Sequence, residues 1–492
     1  MKIIPSLAAR KNPGRTVGAG RWIMLVSLAV IALAVEARAA STAPAGGRPN
    51  VLLIISDDQG YSDFGFTGNP LVSTPVLDRL AAQSAVFRNF VVAAACSPSR
   101  AAFYTGRDHL LTGVWGVPPR ANLRKDEVLL PAYFRAAGYR TFYAGKADTA
   151  RLPESSPWER GWDQGYFVSG YQHRDPTLPN RGATLQPKGW TADILTDLIL
   201  DFIREKRPEP WLATAAYIIP HLPWVCDDRY QQPFLARGLS ADLARCYGSI
   251  AQLDAAIGRL LAGLRETGQE ENTLVVFVSD NGMSHKAEAD RELTEADWAK
   301  RNPHALRGHK ATVWENGIRV PFLVRWPGKI APGDRRQFGG AEDLVPTLLD
   351  LAGVLGDAVA HLPWTGVSLR PALMDATAFV ERTPLFRLAI SGPGSPRDGI
   401  ADARQRAFTA HHVVLRGPRF KYHALPGGQS ALFDLDADPG ETTDVQARFP
   451  QEAARLAAEC RQRWDEIVNS GRSFQPAAEG ASRERPAKAK RK

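Results

Sequence analysis

Asn50-Val-Leu-Leu-Ile-Ile-Ser-Asp-Asp-Gln-Gly-Tyr61 is the stretch that decides the fold. Residues 51–56 are continuously apolar rather than alternating, and rich in β-branched side chains, the pattern of a strand covered on both faces. Two carboxylates, Asp57 and Asp58, follow at once. The arrangement recurs along the chain. Residues 140–143 lead to Gly145-Lys146, 212–219 to Pro220-His221 and 274–279 to Asp280-Asn281; 320–325 form a fifth apolar run. Between the third and fourth runs, Tyr247, Ile250, Leu253, Ile257, Leu260 and Leu264 recur at three- and four-residue steps. That spacing predicts a helix over 247–267, stopped by Gly268. Residues 191–204 and 342–351 read as helices for the same reason. Strands alternating with helices predict an α/β fold, a largely parallel central sheet flanked by helices.

Beyond residue 380 the character changes. Short segments at 412–415, 420–423 and 431–435, separated by Gly and Pro, predict a smaller C-terminal antiparallel sheet, and 450–469 an amphipathic helix. The expected organisation is a leader at 1–39, a main domain at 49–375, a subdomain at 380–470 and a disordered basic tail at 471–492.

The net charge of +9 over 492 residues is carried by the two ends, +5 in residues 1–39 and +5 in 471–492, which leaves the body at −1. A near-neutral body has no electrostatic footprint for nucleic acid, so attraction for an anion must be local. The leader has basic residues up to Arg21, then an apolar run from Trp22 to Ala34, then Ala37-Arg38-Ala39. That order is a secretory signal, so the chain is expected to be exported, periplasmic or secreted, with no stable membrane span after cleavage. Four cysteines are too few for a disulfide scaffold; a single pair, Cys226 with Cys246, is open at the sequence.

In open α/β sheets, ligands bind beyond the carboxyl ends of the strands. Four predicted strands deliver Asp57, Asp58, Lys146, His221, Asp280 and Asn281 to one edge. An acidic pair at a strand end can simply cap a turn; two such pairs at equivalent ends favour a site. Oxygen donors from three Asp and one Asn suit a hard cation, Ca²⁺ or Mg²⁺, rather than zinc. Cys96-Ser97-Pro98-Ser99-Arg100 reads as a helix start, with Pro98 in its first turn. Cys96 then lies where free N–H groups favour negative charge, with Arg100 one turn away.

Cys96-Ser-Pro-Ser-Arg-Ala-Ala-Phe-Tyr-Thr-Gly-Arg107 resembles the signature of the sulfatase family. The resemblance extends to 50–61, to Leu306-Arg-Gly-His-Lys310, to Glu315-Asn-Gly-Ile-Arg-Val-Pro-Phe322 and to Asp343-Leu-Val-Pro-Thr-Leu-Leu-Asp350, with a weaker echo at 432–441. It implies an alkaline-phosphatase-like fold and a sulfuric-ester hydrolase. By motif it assigns Asp57, Asp58, Asp280 and Asn281 to a metal, usually Ca²⁺. Cys96 becomes formylglycine, made by a formylglycine-generating or equivalent maturing enzyme, and Arg100 stabilises the aldehyde hydrate. Lys146 and Lys310 hold sulfate oxygens, and His221 protonates the leaving alcohol.

One departure stands out. Similar sulfatases commonly read Gly-Lys-x-His, whereas this chain reads Gly145-Lys146-Ala147-Asp148. An ionised Asp148 cannot donate a proton and adds negative charge beside a sulfate, so His309 or His285 becomes a candidate to complete the pocket. A sulfated carbohydrate is the expected substrate, from export and from Trp158, Trp162, Tyr166 and Tyr171, aromatic residues near Lys146. Two other readings stay open: a phosphodiesterase or phosphonate monoester hydrolase of the same superfamily, and a sulfated-glycan binding protein without turnover.

Overall fold

The computed structural model describes residues 47–117, 123–147, 157–168, 170–288, 290–354, 363–391 and 407–472. The predicted leader, Asp148 and all but the start of the predicted tail lie outside them. In chain order the strands are β1 Asn50–Ser56, β2 Ala85–Val91, β3 Arg140–Gly145, β4 Gln164–Phe167, β5 Leu178–Asn180, β6 Ala183–Leu185, β7 Trp211–Ala216 and β8 Thr273–Ser279. They continue with β9 Arg319–Arg325, β10 Gly333–Arg335, β11 Gly339–Gly340, β12 Leu385–Leu388, β13 Val413–Arg416, β14 Phe420–Ala424 and β15 Ser430–Asp434.

The main sheet runs β10-β2-β9-β8-β1-β7-β3-β4, with β11 also on β2. Strands β8, β1, β7, β3 and β4 are mutually parallel. β9 runs against both its neighbours, β8 and β2. The alternation of β1 explains its unbroken apolar run. Val51, Leu53 and Ile55 pack with Phe103 and Leu344 on one face, Leu52 and Ile54 with Leu195 and Ile257 on the other. The helices Cys96–Thr105 and Leu344–Leu351 thus cover one side, and Thr191–Arg204 and Ala241–Glu266 the other.

Ala241–Glu266 begins six residues before the predicted start, because the Ser240 hydroxyl accepts from Leu243 N at 3.2 Å and caps an extra turn. β7 stops at Ala216 rather than 219, although Tyr217 N still donates to Ile55 O at 2.9 Å. None of the four cysteines is disulfide-bonded and all are buried, so the pair Cys226–Cys246 does not form. No helix among the described residues is long and apolar enough to cross a membrane.

The small sheet, β12-β13-β14-β15, is antiparallel throughout. It packs Val413, Leu415 and Leu432 against Leu456, Cys460 and Trp464 of the helix Pro450–Asn469. It is also attached to the main sheet, where Leu385 and Val414 share a cluster with Val91, Ile318 and Phe338. A buried ionic network crosses the same seam. Glu315 meets Arg416 and Lys421, each at 3.1 Å. Glu441 meets Lys421 and His423 at 2.8 Å and accepts from Glu315 N at 2.6 Å.

Candidate active site

The carboxyl ends of β1, β7, β3 and β8 lie side by side because Ser56 pairs with Ser279, Ile55 with Ala216 and Gly145 with Ala216. Everything that follows these strand ends is therefore forced to one edge. Asp58 adopts φ +64°, a left-handed conformation that Asp tolerates better than most residues, and its N–H donates to Asp280 Oδ1 at 3.2 Å. Asn281 Nδ2 donates to Asp58 Oδ1 at 2.8 Å. Asp57, Asp58, Asp280 and Asn281 are all buried.

Three buried carboxylates need compensating charge. Lys146 Nζ lies 2.8 Å from Asp57 Oδ2, and Lys310 Nζ 2.5 Å from Asp58 Oδ1. Arg100, fully buried, donates to Asp280 Oδ2 from Nε at 2.8 Å and to the Lys146 carbonyl from Nη1 at 2.8 Å. Tyr143 OH donates to that same carbonyl, fixing the turn that aims Lys146. The field is uneven. Burial raises the Asp57 carboxyl against the opposing pull of Lys146, and burial with Asp57 nearby pushes Asp280 up to about 6. Burial acts the same way on Asp58, but Lys310, His221 and Lys146 outweigh it and hold that carboxyl below the ordinary range.

Cys96 is the first residue of its helix and is buried. Asp57, Cys96 and Asp280 each offer a donor atom within 4.8 Å of the others, and so do Asp57, Asp58 and His221. His221 donates from Nδ1 to the Leu222 carbonyl at 2.6 Å, and its Nε2 faces Asp58 Oδ2 at 3.7 Å. Burial and the Lys310 charge hold its imidazole down to about 3.

The oxygens fit a hard cation. Asp57 Oδ1 and Asn281 Oδ1 are buried with no hydrogen-bond partner among the described residues. An orphaned carboxylate oxygen and an orphaned amide oxygen, beside two further acids, are the donor set that Ca²⁺ or Mg²⁺ takes.

Every expected site residue that is described thus converges, but the auxiliary candidates do not all join. His309 bonds through Nδ1 to the Lys310 carbonyl at 2.8 Å and lies 3.7 Å, ring to ring, from His285, which pairs with the exposed Glu292 at 2.8 Å. Of the aromatic residues expected to face a sugar, Trp162 is core, packed on Tyr104 and Tyr143. Tyr166 packs on Phe142, and Trp158 on Phe167. Tyr171 alone reaches the site, stacked on His221. Neither that stack nor the Tyr143 brace has a signal in sequence spacing.

The sulfatase family profile matches residues 49–354. Arylsulfatase A of Bos taurus is 31% identical over 473 residues, covering 85% of this chain and 87% of its own. N-acetylgalactosamine-6-sulfatase of Homo sapiens is 30% identical over 383 residues, 70% of each chain. The solved structure of Ps i-CgsB in complex with k-i-k-neocarrahexaose superposes with a TM-score of 0.73 at 24% identity, over 87% of this chain and 95% of that one, a likeness of fold. Profile and relatives agree: this chain belongs to the sulfatase family and is a sulfatase enzyme.

Proposed function

We propose that the enzyme releases sulfate from sulfated carbohydrates, using a formylglycine made from Cys96 by a maturing enzyme. The observation that carries this reading is the placement of Cys96 within 4.8 Å of Asp57 and Asp280 donors, at a helix N-terminus. The hydrate of the aldehyde supplies a hydroxyl that attacks sulfur. Arg100, held by Asp280 and the Lys146 carbonyl, fixes the start of that helix against the acidic edge.

Asp57, Asp58, Asp280 and Asn281 would hold Ca²⁺ or Mg²⁺, which when bound supplies positive charge against the sulfuryl oxygens. Lys146 and Lys310 already stand among these acids, each donating to its carboxylate, and bring two ammonium charges to an incoming sulfate. Acids at the base with ammonium groups above them form an anion site that is preorganised before substrate arrives. His221, anchored through Nδ1, presents Nε2 to the leaving oxygen. A sulfate monoester brings negative charge against the ring and favours its protonated form. General acid help of this kind contributes about 10²–10⁴-fold.

The carbohydrate assignment draws on the similarity to N-acetylgalactosamine-6-sulfatase. Export draws on the basic, apolar and Ala-Arg-Ala order of residues 1–39. The test combines two measurements. Mass spectrometry of the peptide bearing Cys96, from protein made with a maturing enzyme, should show the aldehyde; thiol alone in active protein would sink the mechanism. Paired aryl sulfate and aryl phosphodiester substrates should show preference for sulfur; preference for phosphorus would make the chain a phosphodiesterase or phosphonate hydrolase instead.

A further inference from the structure

Tyr171 was a candidate sugar platform, but its ring is already engaged. Its centroid lies 3.8 Å from that of His221 with an interplanar angle of 5°. Lys146 Nζ lies 4.7 Å from the same Tyr171 centroid. Tyr171 therefore touches, through one ring, the side chain read as general acid and one of the two ammonium groups read as the sulfate clamp.

The segment carrying it is tied down. Gln172 Oε1 accepts from Thr177 N at 2.7 Å, and the Gln172 carbonyl accepts from Thr191 Oγ1 at 2.5 Å. The His173 carbonyl accepts from Thr191 N, and Asp175 N donates to Gly189 O, at 2.9 and 2.8 Å. Thr191 opens the helix Thr191–Arg204, so Tyr171 is indexed to the body of the fold rather than to a free loop.

His221 has two soft torsions, and the Nδ1 contact with Leu222 constrains them at one point only. A ring can pivot about that point and swing Nε2 out of line. A parallel aromatic face at contact distance removes the pivot. We propose that Tyr171 is a positioning residue for this reaction: it fixes the plane of the His221 imidazole, and with it the line along which Nε2–H passes its proton to the leaving oxygen as the S–O bond breaks. Tyr171 supplies no proton itself. This rests on the reading of His221 as the acid.

The experiment compares 4-nitrophenyl sulfate, whose leaving group departs without a proton, with phenyl sulfate, which needs one more. In Tyr171→Ala, kcat on phenyl sulfate falls about 10- to 100-fold, the scale of a misplaced catalytic group, while nitrophenyl sulfate loses much less and KM barely moves. Tyr171→Phe, which keeps the stacking face, recovers most of the loss. His221→Ala is the reference and shows the same selectivity, more strongly. Equal losses on both esters, or a loss confined to KM, would make Tyr171 a substrate contact and overturn the proposal. If His221→Ala is itself unselective, the acid assignment fails, and that is read separately from Tyr171. A second readout needs no turnover. The His221 ring-proton signal, assigned by its loss in His221→Ala, shifts in Tyr171→Ala and stays near its native position in Tyr171→Phe; an unmoved signal in Tyr171→Ala overturns the stacking argument.

Discussion

Replacing Gly145 by Ala tests how the sheet delivers Lys146 to the site. Gly145 ends β3 with φ +129°, a conformation open essentially to glycine alone. A Cβ added there would lie 1.8 Å from the Ala216 carbonyl oxygen and 2.5 Å from its carbon. Ala216 cannot retreat, because β7 is central and pairs with β1 on its far side. Two costs combine: about 1–3 kcal/mol for the strained backbone and about 1–3 kcal/mol for overpacking. Gly138→Ala is the control. Gly138 also has positive φ, +85°, but nothing within 4 Å of an added Cβ; it should lose only the backbone term, about 1–2 kcal/mol. The difference isolates the close approach. Function should separate the two further, because Lys146 N donates to the same Ala216 carbonyl at 2.8 Å. Pushing that carbonyl away moves the ammonium, and a displacement of about 1 Å costs on the order of 10²-fold in rate. Denaturation midpoints and sulfate release, measured on both variants, check this. If Gly145→Ala matched Gly138→Ala in stability and kept full turnover, strand β3 would not be what aims Lys146.

Three further outcomes are expected. Cys96→Ala should abolish sulfate release while holding stability within about 1–2 kcal/mol of the native chain, and turnover in that variant would dismiss the nucleophile. Ca²⁺ at about one hundred times its Kd should raise unfolding stability by about 2.7 kcal/mol, reversibly with chelator; a doubly substituted Asp58→Asn, Asp280→Asn protein that still responds would place the ion elsewhere. Asp254 accepts from Val76 N and Leu77 N at 2.9 and 2.8 Å, and burial pushes its carboxyl up from 3.8 to about 6. The folded state therefore takes up this proton before the unfolded state does, so stability falls as pH rises from about 4 to about 6, by about 3 kcal/mol. Midpoints across that window should flatten in Asp254→Asn, and parallel curves would remove the assignment.

The parts of the fold that sequence makes legible are those dominated by one local signal. β1, β3, β8 and β9 are continuous apolar runs because both faces are covered, and each was readable to within a residue or two. β2 was not, since Arg88 and Asn89 interrupt Ala85–Val91 where its register with β9 slips between Phe87 and Phe90. The direction of β9 was equally hidden: an apolar run does not say which way its neighbour points. For the site, the order strand-then-charged-residue was enough to bring Asp57, Asp58, Lys146, His221, Asp280 and Asn281 together, because parallel strands share one edge. Cys96, Arg100 and Lys310 come from outside that pattern: the first two were legible as a helix start, but placing all three at this edge needed the family resemblance. Contacts such as Tyr171 on His221 depend on how a loop folds back, and nothing in its composition encodes that.

The ionic seam between the two sheets bears on how far the protein can be shortened. Glu315 sits five residues beyond Lys310 in the chain, and its counter-charges Arg416 and Lys421 belong to β13 and β14. A fragment ending with the parallel sheet would strip that carboxylate of both counter-charges and uncover the apolar cluster of Val91, Ile318 and Phe338, next to the segment that carries an ammonium group of the site. The profile match stops at residue 354, but that bound does not mark where the chain can be cut. Any trimmed enzyme has to keep the polypeptide through the helix Pro450–Asn469.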